Sequence, residues 1–401
     1  MSKPGIVITG VGAVCSGGNT VDEIFSHLLS TKTKGASLNR QSSPSDCLNK
    51  GLIVKDLTPA SLGIRPRDAR IMRRHSLILM KAALDAWEDA GLKGAEGPGE
   101  RVGFFAGMGM VDYEVDDLLP AVIKSIDPEG GIDYSRFYGG AFREIHPLWP
   151  LSMLNNIAFC QVAIRLGIKG ESTVFSPHGD STIHAFSEGM RVLLNGKADL
   201  VLAGGVSENL NENSLARAVI TGITGDEETG ICPAEGGALF VFEREEDARR
   251  RNANIRGVIT GMGYGLASED YAESKNAFSS AISKAISASG LVPEEIDMIF
   301  LNRSGRPIWN KAERDAIGQI FSEHSPILYS SKDTFGEMLA GSPAVDLALS
   351  LKTLEKGRLP EQNFKGYGDR DIRVVLINTM SYEGQVASIV VSTSHTHTSE
   401  V

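Results

Sequence analysis

The spacing of apolar positions along the chain changes repeatedly. Short apolar runs closed by glycine give way to stretches with apolar residues three and four apart, as strands interleaved with helices require. Gly5 to Gly12 reads as a buried strand, and Asn19-Thr20-Val21-Asp22-Glu23 as a helix start. Residues 30–61, rich in Ser, Lys, Asn and Pro, read as a surface excursion. His75 to Ala90 places Leu77, Met80, Leu84 and Trp87 on one helical face and stops at Gly91. Arg101 to Met110 reads as a strand with a glycine-rich exit. Asp112 to Trp149 has weak periodicity, many turn residues and the aromatics Tyr134, Phe137, Tyr138 and Trp149, and reads as an insertion. Leu151 to Leu166 is again helical, and its Asn155 and Asn156 need hydrogen bonds if buried.

Next comes a strand, Ser172 to Phe175, then a helix, Ile183 to Leu194, feeding a second strand, Asp199 to Val206. Gly236 to Glu243 is another apolar strand, and the charged run Arg244 to Arg251 reads as a solvated helix end. Then the pattern recurs. Helices at Ala277 to Leu291 and Val345 to Glu355 alternate with strands at Ile296 to Ser304 and Ile372 to Asn378. Such a repeat predicts an α/β fold of five layers, αβαβα, built from two similar halves, residues 1–252 and 253–401. The turn at 176–182, Ser-Pro-His-Gly-Asp-Ser-Thr, joins a strand to a helix, where free backbone amides can hold an anion and chemistry tends to collect.

A net charge of -10 argues against sequence-independent nucleic-acid binding, and no apolar run is long enough to span a bilayer, so a cytoplasmic protein is expected. Cys15, Cys47, Cys160 and Cys232 are scattered, with no metal-ligand spacing, so reduced, mostly buried thiols are expected and no metal or cofactor. His395 and His397 sit in a Ser/Thr tail that reads as disordered.

Three runs together carry a family resemblance: Val7-Ile8-Thr9-Gly10-Val11-Gly12-Ala13-Val14, Gln161 to Gly167, and Ala198-Asp199-Leu200-Val201-Leu202-Ala203-Gly204-Gly205-Val206. Over essentially its whole length the chain resembles a β-ketoacyl-acyl carrier protein synthase of the thiolase superfamily. That family's elbow carries a Thr-Ala-Cys nucleophile, and the resemblance puts Gly179 at the cysteine's place, between His178 and Asp180 and close to Ser176. The family's first catalytic histidine opens a His-Gly-Thr-Gly-Thr-Pro run, and here Asn302 opens Asn-Arg-Ser-Gly-Arg-Pro, anchored by Glu313 downstream. The second histidine falls on Glu337 in Lys332-Asp-Thr-Phe-Gly-Glu337, so the family's lysine, Lys332, is retained. Tyr382 falls on the loop whose aromatic residue gates the acyl pocket, with Ser381 and Glu383 replacing glycines. A buried tyrosine with a satisfied hydroxyl is the competing reading there.

Condensation in this family needs a thiolate to carry the chain and imidazoles to assist decarboxylation and hold the enolate. Glycine forms no thioester, an ionised Glu337 repels an enolate, and Asn302 exchanges no proton near neutral pH. The resemblance therefore implies a chain-length-factor subunit of a type II polyketide or aryl polyene synthase. Such a subunit pairs as a heterodimer with an active ketosynthase that is served by an acyl carrier protein, with a homodimer as an incidental form when alone. Phe137 and Tyr138 would then line the partner's tunnel and set product length. The alternative is an enzyme of altered chemistry, a malonyl decarboxylase or acyltransferase using Glu337, His178 or Asn302. His178, Asp180, Ser181 and His184 include the residue types of a hydrolase triad, but neighbours so close in sequence rarely converge on one atom. His184 reads as packing, and Cys232 lies in what the family uses as a structural turn.

Overall fold

The computed structural model describes residues 5–30, 51–94, 99–222, 231–359 and 370–393. The first half supplies β1 (Ile6–Cys15), β2 (Val102–Met108), β3 (Ser172–Phe175), β4 (Leu200–Ser207) and β5 (Gly236–Arg244). Its longer helices are α1 (Val21–Ser30), α2 (Arg74–Asp89), α3 (Val115–Ser125), α4 (Asn155–Leu166), α5 (Gly179–Leu194) and α6 (Glu212–Ile220). The second half supplies β6 (Gly257–Leu266), β7 (Met298–Phe300), β8 (Ile327–Tyr329), β9 (Val374–Met380) and β10 (Gln385–Ser392), with α7 (Tyr271–Ser289), α8 (Pro307–Ile320) and α9 (Gly341–Lys356).

Strand order runs β3-β2-β4-β5-β1 and continues β6-β10-β9-β7-β8. Read outward from the centre, each half has the same pattern: two antiparallel pairings, then two parallel ones. This is the thiolase-like architecture expected from the repeat. The two sheets are not merely stacked, because β1 and β6 pair briefly at Val7 with Val258 and Ile8 with Gly257, which makes one continuous ten-stranded sheet. Helices α5 and α9 lie between the two halves of the sheet, α2 and α4 cover the first half, and α7 and α8 cover the second. Helix α9 is buried along almost its whole length, as a helix in a central layer must be. The main core accordingly draws on both halves, joining Phe186, Phe240 and Phe242 to Leu347, Leu351, Val375 and Ile389.

The duplication reaches single residues. β1 carries Ile8-Thr9-Gly10-Val11-Gly12 and β6 carries Ile259-Thr260-Gly261-Met262-Gly263. A Cβ on Gly10 or Gly12 would run into the backbone carbonyls of Ala86 and Ala82 on α2, and one on Gly261 or Gly263 into those of Ala285 and Ala281 on α7. Alanine on the helix and glycine on the strand let two backbones touch, and the same solution appears in both halves.

Several sequence expectations need correction. The 112–149 insertion is largely helical, with α3 and a short helix at Tyr134–Gly139 whose first amides, those of Ser135 and Arg136, donate to the Asp133 side chain. Cys160 is free but exposed and Cys232 is disulfide-bonded, so among the described residues the expectation of a reduced, buried thiol holds in full for Cys15, whose burial pushes its thiol up to about 12. Cys47, His395 and His397 lie outside the described residues. No helix among the described residues is long and apolar enough to cross a membrane.

The close approach is testable. Gly12→Ala and Gly263→Ala should each destabilise the chain by about 1–3 kcal/mol or more through overpacking. Gly318→Ala, on α8 with nothing within 4 Å of the added methyl, should stabilise it by about 0.5–1 kcal/mol. Denaturant melts of the three variants provide the check.

Candidate functional site

The elbow, the loops that follow β7 and β8, and the β9–β10 turn meet at one place. Gly179 opens α5, and a Cβ there would collide with the Thr379 hydroxyl and sit 3.6 Å from the Leu339 carbonyl oxygen. Thr182, one turn along α5, donates its hydroxyl to the Ala340 carbonyl at 2.5 Å. Asn302 and Glu337 are both buried, and Lys332 joins them. Its Nζ donates to Glu337 Oε2 at 2.7 Å and reaches Asn302 Oδ1 at 3.4 Å. Asn302 Oδ1 also accepts the Met380 amide at 2.8 Å, one residue beyond Thr379. Contacts thus run in a ring from Gly179 through Leu339, Glu337, Lys332, Asn302 and Met380 back to Thr379.

The carboxylate and the amide oxygen of this ring are already engaged. Glu337 Oε1 accepts the Leu339 amide at 2.9 Å and the Ser342 hydroxyl at 2.8 Å, so both carboxyl oxygens are bound within the protein. The Asn302 backbone N–H donates to Glu313 Oε1 at 2.8 Å, and Asn378 Nδ2 donates to the same oxygen at 3.0 Å. Burial holds the Glu313 carboxyl above its ordinary range. Arg303 and Leu339, beside these positions, adopt left-handed backbone, with φ of 38° and 46°. Non-glycine residues persist there only where their surroundings enforce it, as they do around functional sites.

Behind the ring, on α9, Asp346 faces Ser331 and is buried with one carboxyl oxygen unpartnered. Burial pushes its carboxyl up to about 7, and the nearby negative charges of Glu337 and Glu313 add to the effect. Lys332 is bonded to Glu337 instead, and Asp346 is left without its own cation.

At the mouth, His178 is buried and its Nε2 lies 2.9 Å from Glu383 Oε1. Its ring meets the Tyr382 ring edge-on at 5.6 Å. The Tyr382 hydroxyl is buried, with the Gly305 backbone in hydrogen-bonding reach of it. Burial, and then the charge of Glu337, hold that phenol well above its ordinary value. Asp180 is half-buried, which raises its carboxyl, and Ser176 is exposed. His184 stacks on Tyr264 at 5.8 Å, the packing role expected of it. No Ser/His/Asp triad forms, because the Ser181 hydroxyl donates to its own turn at the His178 carbonyl. Phe137 is half-buried edge-on against Tyr138, which is 71% exposed. The partnership of His178 with Glu383 was invisible in the sequence, where 205 positions separate the two.

A cleft of about 720 Å³ lies elsewhere, near the C-terminal part of α9. Its cations are matched by its own carboxylates, Lys81 by Asp85, Arg256 by Asp89, and Lys352 by Asp22. No cluster among the described residues could hold a metal ion.

The signature of the beta-ketoacyl synthase N-terminal domain matches residues 3–248, and that of the C-terminal domain residues 253–364. The chain belongs to the beta-ketoacyl synthase family. It is 25% identical over 384 residues to 3-oxoacyl-[acyl-carrier-protein] synthase 2 of Coxiella burnetii, covering 90% of this chain and 88% of that one. It is 24% identical over 379 residues to the tetracenomycin polyketide synthase ketoacyl synthase beta subunit of Streptomyces glaucescens, with the same coverage. In fold it matches the ishigamide ketosynthase/chain length factor with a TM-score of 0.79 at 21% identity, over 98% of this chain and 100% of that one.

Two outcomes follow from the buried charges. Asp346 binds a proton in the folded chain up to about pH 7 but in the unfolded chain only to its ordinary value near 3.8, so stability should fall as pH rises between those values. Asp346→Asn should flatten this dependence, gaining on the parent at pH 8 over pH 4 by at most about 4 kcal/mol. Lys332→Met should cost about 3–5 kcal/mol by leaving Glu337 unpaired, and adding Glu337→Gln should recover part of it. Urea titrations across pH measure both effects.

Proposed function

We propose that this chain, divided at about residue 252 into two thiolase-like halves, is a catalytically degenerate ketosynthase homologue acting as the chain-length-factor partner of an active synthase. One observation carries this reading: the three positions where the family's chemistry would reside are bare or consumed. Gly179 offers no nucleophile and the Thr379 hydroxyl fills its side-chain space. Glu337 spends both carboxyl oxygens on Lys332, Leu339 and Ser342, and Asn302 spends its side-chain oxygen on Met380 and Lys332. A carboxylate bound on both oxygens is a poor candidate for the decarboxylating or acyl-transferring group of an altered enzyme.

The scaffold for pairing is nonetheless present. β3 is an outermost strand, bonded only through β2, with Ser172 and Thr173 exposed, and such an edge is a liability unless another chain covers it. Large apolar side chains lie open on and around the 112–149 segment, among them Ile123, Tyr134, Tyr138, Leu154 and Ile164. A partner synthase covering β3 and this segment would bury well over ~2,000 Å², as obligate interfaces do. Tyr138, with Phe137 braced against it, would then close the far end of the partner's acyl tunnel. The names of two relatives, a polyketide ketoacyl synthase beta subunit and a ketosynthase/chain length factor, favour this role, and the acyl carrier protein would serve the active subunit.

Co-expressed with its synthase, the chain should elute as one heterodimer on size exclusion. Tyr138→Ala should lengthen the product, and Tyr138→Trp should shorten it. Two separate species, or products indifferent to position 138, would contradict the assignment. Gly179→Cys alone should not restore condensation, because Asn302 and Glu337 remain and Thr379 occupies the thiol's space.

A further inference from the structure

Strand β6 runs on past the strand beside it. It pairs with β1 only at Gly257 and Val258, so Ile259 to Leu266 have a strand on one side alone, β10. Strand β1 is left with the same half-open edge from Thr9 to Cys15, but there the chain closes it. The Val11 amide donates to Asp89 Oδ2 at 2.9 Å, Cys15 and Gly18 exchange backbone hydrogen bonds of 3.0 and 3.1 Å, and Ala13, Val14 and Cys15 are buried. On β6 the closure stops short. Lys284 Nζ donates to the Tyr264 carbonyl at 3.2 Å, but Leu266, two residues on, is 72% exposed. Gln385, opposite Leu266, spends its amide and carbonyl on Ser381, so this antiparallel pair is of the kind whose backbone groups turn away from each other. The Leu266 N–H and C=O therefore face outward, beside a cleft of about 360 Å³ whose lining includes Glu273, Asn276, Ser280 and Lys284.

We propose that the synthase covering β3 also covers this open end of β6, so that both halves of the chain contribute to one footprint. The inference rests on the partnership proposed above and extends its contact surface. Side chains already join the two edges. Phe175, the last residue of β3, lies 6.0 Å ring to ring from His184, and His184 stacks on Tyr264 at 5.8 Å with the planes 7° apart. Phe175 and Tyr264 are half-buried and the His184 side chain is 46% exposed, so a ribbon of rings crosses the surface from β3 toward Leu266. Area argues for the extension. β3 has four residues, about 13 Å of edge at the usual rise, which alone is little to anchor an obligate interface. A strand end with outward backbone groups and a bare leucine is a liability until another chain covers it. The occupant that answers both needs is an extended segment of the synthase, bonding its backbone to Leu266 and apolar where it meets that side chain.

Hydrogen exchange read by mass spectrometry on the unaltered chain, alone and in the heterodimer, tests the footprint. Amides of residues 172–175 report on β3 and those of 264–266 on the end of β6, and both sets should exchange about tenfold or more slowly in the heterodimer. Leu266→Asp should weaken the heterodimer about tenfold or more by burying a charge. Val292→Asp, past the far end of α7 and 52% exposed, should leave its affinity unchanged. Protection at 172–175 without protection at 264–266, or a Leu266→Asp heterodimer of parental affinity, overturns the footprint and leaves the partnership standing. Absence of a heterodimer, or of protection at either edge, overturns the partnership and the footprint with it. Protection of 264–266 that grows with the concentration of the chain alone assigns the β6 edge to a second copy and also overturns the proposal.

Discussion

An ammonium group shut away from water needs a carboxylate at hydrogen-bond distance, and at the meeting point of the two halves Lys332 has Glu337. Much of the site follows from that choice. With Lys332 satisfied, Asn302 is left to the Met380 amide and Asp346 has no cation of its own, so its carboxyl retains a proton toward neutral pH. Glu337, bound on both oxygens, becomes part of the scaffold holding the left-handed turn at Leu339 and the start of α9. Here the polar atoms support the fold.

The scaffold itself is ordinary for the family. Strand order, parallel and antiparallel pairings and even the glycines that let β1 and β6 touch their helices occur twice. That regularity delivers the elbow and the loops after β7 and β8 to one place, whatever side chains they carry. The exposed β3 edge and the open apolar surface of the 112–149 region are part of that scaffold.

Much of this was legible in the chain. Ser172–Phe175 was placed to the residue, and the elbow, Asn302, Glu337 and Lys332, found by motif, come together in space. Helix α5 begins at Gly179 and not at Ile183, because Gly-Asp-Ser is a weak helix former by composition while Asp180 suits a helix N-terminus. α8 was missed although Pro307 stands at its first position, a usable start signal. β6 was missed: glycines at 257, 261, 263 and 265 interrupt its apolar pattern, and three of them face the alanines at 277, 281 and 285. No pattern could have given Thr379 filling the space at Gly179, or His178 reaching Glu383, since both depend on the two halves being assembled.

The central claim is that this chain shapes a reaction it does not perform. It is met most directly by supplying malonyl- and acyl-loaded carrier protein to the purified chain alone, to its partner synthase alone, and to both together, and recording carbon dioxide release and condensed product. The account predicts neither from the chain alone, and a synthase whose rate and product length depend on the chain's presence. Carbon dioxide released by the chain alone and lost on Glu337→Ala would contradict it.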